Sequence, residues 1–164
     1  MREIAKNAGI DHSTLHYYFP GKEALIDGIV DHIVQDLAIG RNQATESAKV
    51  SPRDRLAGHF DALVRQMEKS PEMFVVLMEI QARALRETEL RAIFAKNDRA
   101  WKAFLIEILQ TGIQEGQFAS TLVPEVAADV IISIIRGVSS TFVGRAALMK
   151  RPLHQLLHWL EGQN

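Results

Sequence analysis

The sequence predicts an all-α fold, a small N-terminal helix-turn-helix module followed by a longer helical bundle. Three observations carry that expectation. Apolar residues recur at helical spacing almost from end to end, and strand-like alternation is nearly absent. Five prolines (Pro20, Pro52, Pro71, Pro124 and Pro152) punctuate the chain, and four of them stand where a helix can start. With 47% hydrophobic and 24% charged residues, 164 residues are enough to bury a core of ordinary composition.

Arg2 to Ala8 reads as a short helix that Gly9 ends. Asp11 suits the N-cap of a second helix reaching Phe19, its carboxylate placed to accept from first-turn amides. "PGK" breaks that helix, and a longer one opens near Lys22 with Leu25, Ile29, Ile33 and Leu37 on one face. "RNQATESAKVSP", residues 41–52, is polar and reads as a frayed helix end and a loop. From Arg53, the residues Leu56, Phe60, Leu63 and Met67 keep the i, i+4, i+7 rule.

After Pro71, "MFVVLMEIQARAL" is apolar on nearly all sides, which predicts a helix sandwiched by others. A further helix carries Leu90, Ile93 and Phe94, then Trp101, Phe104, Leu105, Ile108 and Leu109, and "EGQF" ends it in a glycine turn. The next helix is expected to run from Pro124 to Leu148. Val126, Val130, Ile134 and Val138 form one stripe on it, with Ala127, Ile131 and Ile135 beside them. Gly137, Ser139, Ser140 and Gly144 are small enough for close backbone approach. After Pro152, Leu153, Leu156, Leu157 and Leu160 form the seam of a last short helix. The chain contains no internal repeat and no low-complexity tract.

The absence of cysteine excludes disulfides, thiolate metal sites and thiol chemistry. No apolar run approaches the roughly 20 residues that cross a bilayer, and "REIAKNAG" after Met1 is no signal peptide, so the expected location is cytoplasmic. Net charge is −1, so the whole chain is not a polycation seeking phosphate. Residues 1–22 carry Arg2, Lys6 and Lys22 against Glu3 and Asp11, a net +1, whereas residues 23–40 carry Glu23, Asp27, Asp31 and Asp36 without a base. That is thin support for DNA binding, because phosphate neutralisation supplies most non-specific affinity.

The stretch "GIDHSTLHYYFPGKEAL", Gly9 to Leu25, is the informative one. Two short helices joined by a tight "AGID" turn have the shape of a helix-turn-helix, whose second helix enters the DNA major groove. His12, Ser13, Thr14, His16, Tyr17 and Tyr18 would be its reading surface, with Leu15 and Phe19 pointing back to the core. Hydroxyls suit phosphates, and imidazoles suit base acceptors. On spacing alone, a capped surface helix whose aromatics pack on a neighbour is an equal reading.

"REIAKNAGIDHSTLHYYFPGKEALI" resembles the DNA-binding signature of TetR/AcrR-type transcriptional regulators: Ala8-Gly9, Thr14-Leu15, Tyr17 to Phe19, Pro20-Gly21, then Lys22-Glu23-Ala24-Leu25. The resemblance covers about 25 residues, in order. It implies DNA contacts at His12, Ser13, Thr14, His16, Tyr17, Tyr18 and Lys22. It also implies a homodimer on double-stranded operator DNA, with residues 1–40 as reading module and linker helix and 41–164 as ligand-binding and dimerisation domain. Most concretely, it implies a repressor released from its operator by a small hydrophobic effector. The family most often has Tyr where His16 stands, and it has a full helix before "REIA". Either Met1 is an internal methionine or the chain is truncated, and the module as given is expected to bind DNA weakly. The alternative is a dimeric interaction or ligand-binding module that no longer binds DNA.

For the body, Leu63, Met67, Phe74, Leu77, Met78, Trp101, Phe104 and Ile108 lie on helices that would enclose a pocket, with Gln81 and Asn97 as polar members. Plain core packing is the other reading of each. The dimer interface is expected on Val130, Ile134 and Val138, together with Leu153, Leu156, Leu157 and Leu160. No Gly-rich phosphate loop or catalytic triad spacing is present, so an enzyme is not expected. His12/His16 and His154/His158 each put two imidazoles on one helical face, near only Asp11 and Glu161. Two ligands do not make a metal site, and neither metal nor cofactor is expected.

Overall fold

The computed structural model describes the backbone of residues 1–45 and 50–162, and the side chains of 1–33 and 50–162. It is helical throughout: α1 (Arg2–Ala8), α2 (His12–Tyr18), α3 (Lys22–Thr45), α4 (Pro52–Lys69), α5 (Pro71–Ala84), α6 (Thr88–Gln114), α7 (Pro124–Thr141), a 3-10 turn (Ala146–Met149) and α8 (Lys150–Glu161). The side chain of Leu37, and residues 46–49 of the expected polar loop, lie outside the described residues.

The helix starts follow local chemistry. Pro52, Pro71 and Pro124 each occupy the first turn of their helix, where a missing N–H costs nothing. At α4 the cap is reciprocal: Ser51 Oγ accepts from the Asp54 amide at 3.1 Å and donates to its carboxylate at 2.8 Å. Asp11 stands at the N-cap of α2 as expected, but its carboxylate accepts no bond from the first-turn amides.

Most of the core surrounds α4, whose Leu56, His59, Phe60, Leu63, Val64 and Met67 are all buried. Helices α3, α5, α6 and α8 and the 3-10 turn pack around it. Phe118, after the Gly116 turn, lies against α6 over Gly112, where no side chain stands in its way. A second, smaller core joins α3 to the body: Ile26 and Val30 pack with Ile80, Ala84 and Leu90. Among the described side chains of α3 the buried ones are Ile26, Val30 and Ile33, while Leu25 and Ile29 are half-buried at the margin of the expected face.

Three expectations need correction. Helix α7 ends at Thr141, not Leu148. Ser140 and Thr141 turn their hydroxyls onto the Gly137 carbonyl at 3.0 and 2.8 Å, and Gly144 then adopts φ +73°. The positive φ of Gly144 is outside the helical range, so the chain turns there. Helix α5 is not sandwiched, because Val75 and Val76 stay exposed while Phe74, Ile80 and Ala84 are buried.

The third concerns Leu153, Leu156, Leu157 and Leu160. They are no more than 5% exposed in the single chain and belong to its own main core. α8 packs against α4, and the Ala119 amide is bonded to the Leu160 carbonyl at 2.9 Å. Side chains already withdrawn from water have no area left for a second subunit. Leu153→Ala is therefore expected to destabilise the protomer itself by about 2–5 kcal/mol, read from the urea midpoint at constant slope. An unchanged midpoint would remove Leu153 from the core.

Candidate nucleic-acid interface and ligand cavity

The N-terminal module is built to present α2. Gly9 closes α1 at φ 66°, its amide reaching the Lys6 carbonyl at 3.2 Å while the Ile10 amide reaches Ala5 at 3.0 Å. This double closure sets the sharp turn into α2. Along α2 only Leu15 is buried; His12, Ser13, Thr14, His16, Tyr17 and Tyr18 all face solvent. Tyr17 is 82% exposed, an unusual state for so large a ring. Its edge meets the ring of Tyr18 at 5.2 Å, and the rings of His12 and His16 lie 5.9 Å apart one turn away. Lys22, also exposed, opens α3. Phe19 packs over Gly28, where an added Cβ would stand 2.7 Å from its ring, and this closeness pins the end of α2 to α3. All seven residues singled out for DNA contact are thus exposed, six on α2 and Lys22 at the start of α3.

Within the body, α5, α6 and α7 enclose a cavity of about 70 Å³ together with Leu63 of α4. Leu63, Phe74, Leu77, Met78, Gln81 and Trp101, six of the expected lining residues, do line it. Met67, Phe104 and Ile108 do not: Met67 and Ile108 are fully buried in the main core, and Phe104 meets the His59 ring edge-on at 5.5 Å. Asn97 is also absent from the lining. In their place α7 contributes Ile135, Arg136 and Ser139.

Behind the cavity wall His59 is buried, and its Nε2 accepts the Trp101 indole N–H at 3.0 Å. An accepting Nε2 leaves the ring proton on Nδ1, so this bond fixes the tautomer. The signal for His59 was present in the sequence, three residues after Leu56 and four before Leu63, on the apolar face of α4.

Comparison with known proteins gives this geometry a family. Residues 52–158 match the model for the C-terminal part of BetI-type transcriptional repressors, and residues 1–29 match that of the bacterial regulatory proteins of the tetR family. The chain belongs to the TetR family. It is 26% identical over 136 residues to the HTH-type transcriptional repressor KstR2 of Mycolicibacterium smegmatis, 83% of this chain and 63% of that repressor. Over 51 residues it is 35% identical to the regulator EthR of the same species, 31% of this chain and 24% of EthR. The chain thus spans under two thirds of the length of these curated relatives.

The fold agrees with solved TetR-family structures. A TetR transcription regulator from Haloarcula marismortui superposes with TM-score 0.82 at 21% identity, over 96% of this chain and 84% of that one. KstR2 of Mycobacterium tuberculosis, described as a ketosteroid transcriptional regulator, gives 0.75 at 20% identity, over 99% and 84%.

In this TetR-family chain an ion pair closes the end of α5, beside the groove between α3 and the body. Arg83 holds Glu87 through two bonds of 2.9 and 2.8 Å, and this hydrogen bonding keeps the Glu87 carboxyl below its usual range. The remaining histidine pair is drawn to acids rather than to itself: His154 lies 3.7 Å from Asp61, and His158 3.6 Å from Glu161. No group of three metal-ligating side chains gathers among the described residues. Nor is any of the described helices long and apolar enough to cross a membrane.

Trp101→Phe keeps an aromatic ring at the cavity wall, trims its volume and removes the donor to His59. It is expected to lower stability by about 1–3 kcal/mol, measured by thermal unfolding. An unchanged melting curve would show that the bond holds nothing in place.

Proposed function

We propose that this chain is a dimeric DNA-binding repressor that leaves its operator when a small, largely apolar molecule enters the cavity between α5, α6 and α7. The observation that carries the reading is the arrangement of α5. Its Leu77, Met78 and Gln81 line the cavity, while Ile80 and Ala84, on the adjoining face of the same helix, belong to the core shared with α3, the helix that follows the reading head. A ligand that displaces α5 therefore acts on α3 directly, without a chain of intermediates. Because coupling is reciprocal, the ligand must favour the DNA-free arrangement, and operator DNA must weaken the ligand by the same factor.

On the reading surface, Tyr17 and Lys22 hold phosphates, and Ser13 and His16 sit nearest the bases. Tyr17→Ala and Lys22→Ala are expected to weaken binding to a duplex selected from a randomised pool and to random DNA alike. His16→Ala and Ser13→Ala are expected to change which duplex is preferred. Lys22→Ala should also lower the salt slope by about one. Fluorescence anisotropy across a salt series checks both, and wild-type affinity in Tyr17→Ala and Lys22→Ala would remove α2 as the reading helix.

The dimer forms on the outer stripe of α7. Val126 and Val130 are exposed there, and Ile134 and Val138 lie half-buried along the same line. Exposed valines in helical register are a surface that a second copy covers. Val130→Asp, at 46% exposure, leaves the protomer core untouched and is expected to yield folded monomers in light scattering. A folded variant that stays dimeric would move the interface elsewhere.

A further inference from the structure

Three features converge on Arg136. It lines the internal cavity beside Ile135 and Ser139, and with Gln81 it also lines an outer groove of about 280 Å³ between α5, α6 and α7. The cavity and the groove therefore meet at these two side chains. Arg136 Nη2 is bonded to Asp98 Oδ1 across the α6–α7 seam, and both side chains remain about 40% exposed (40% and 39%). The groove holds a second guanidinium, Arg91, whose Nη2 and Nε are directed to the Leu85 and Ala84 carbonyls at 2.7 and 3.3 Å. Two guanidinium groups against the single carboxylate of Asp98 give this lining a net charge of +1. The cavity beyond it is walled by Leu63, Phe74, Leu77, Met78, Trp101 and Ile135.

From this placement we propose that the effector is an amphipathic anion, with its apolar body in the cavity and a carboxylate paired with Arg136 in place of Asp98. The inference rests on the ligand-cavity reading above and adds to it the charge of the ligand. Its physical basis is competition for one guanidinium. The fork of Arg136 can hold an incoming carboxylate bidentately, and an exposed ion pair such as Arg136–Asp98 is weak enough to exchange. An uncharged apolar molecule could fill the cavity but would leave the Arg136–Asp98 pair as it stands. An anion breaks the link across the α6–α7 seam as it binds.

The two partners should then have opposite effects on the same ligand. Calorimetric titration with decanoate, and with decanol as its uncharged counterpart, separates the contributions. The parent is expected to bind decanoate about tenfold or more tightly than decanol, as a charge-assisted pair provides. R136Q should reduce that ratio to about one while leaving decanol binding intact, which also reports that the cavity is still formed. R136K should restore part of the preference. D98N removes the competing carboxylate and should tighten decanoate by about two- to fivefold, the range of an exposed ion pair, with decanol unchanged. Equal binding of the two probes by the parent, or a preference that survives R136Q, would overturn the anionic effector and leave the cavity reading in place. Weaker decanoate binding in D98N would overturn Asp98 as the competitor. Binding of neither probe would overturn the cavity reading itself, and this inference with it.

Discussion

The body is organised by the need to cover α4. Leu56, Phe60, Leu63, Val64 and Met67 form one apolar stripe along nearly the whole of that helix, and several neighbours together withdraw it from water. Each such side chain is worth about 1.5–3 kcal/mol on burial, so an uncovered flank would be costly. The solution is a ring of α3, α5, α6, α8 and the 3-10 turn around it. This demand decides where apolar surface is left over. Because α8 spends its four leucines inward on α4, the apolar stripe that remains outside belongs to α7.

A second consequence is the position of α5. It serves the large core through Phe74 and the small one through Ile80 and Ala84, so it cannot shift without disturbing both. Close-packed interiors transmit such a shift rather than absorbing it. Ion pairs then set the relation of the other walls: Lys102 to Asp129 at 2.7 Å between α6 and α7, and Arg55 to Glu107 at 2.9 Å between α4 and α6. These lie at the rim and are individually weak. They orient helices that the apolar core holds together.

How much of this was legible in the sequence varied with the kind of signal. The helix starts at Pro52, Pro71 and Pro124 were legible, because proline acts through backbone chemistry within one turn, whereas α8 opens at Lys150, ahead of Pro152. On α2 the inward turn of Leu15 was legible, but spacing alone left open whether Tyr17 and Tyr18 pack on a neighbour, and they stand exposed. The end of α7 was not legible. Its apolar periodicity carries on past Thr141, whereas the chain leaves the helix at Phe142 and turns at Gly144 with φ +73°. Nor could spacing say which side of α8 meets α4, because a leucine seam looks the same facing a partner or its own core. The cavity lining was half visible for a similar reason. Periodicity marks Met67, Ile108 and Leu63 as inward alike, but only the crossing of α4 with α5, α6 and α7 leaves Leu63 beside open space. Arg136 was hidden by its type, a charged residue in an apolar helix that reads as a solvated position.

The size of the cavity bears on how the proposed switch operates. At about 70 Å³ it is far smaller than the 300–1,000 Å³ of sites that enclose a drug-sized ligand. An effector with a substantial apolar body therefore enters only if a wall yields. Trp101 is held by its bond to His59, and Leu63 belongs to the buried arc of α4, so those walls resist. The α5 wall is different: Leu77 and Met78 are only half-buried, and Val75 and Val76 face solvent. The displacement is thus directed at the helix that also packs on α3. A roomy, preformed site would bind the same ligand equally in both arrangements and shift nothing, since only differential affinity moves an equilibrium. In the proposed switch, tight packing around a small cavity is what would convert occupancy into movement of α3.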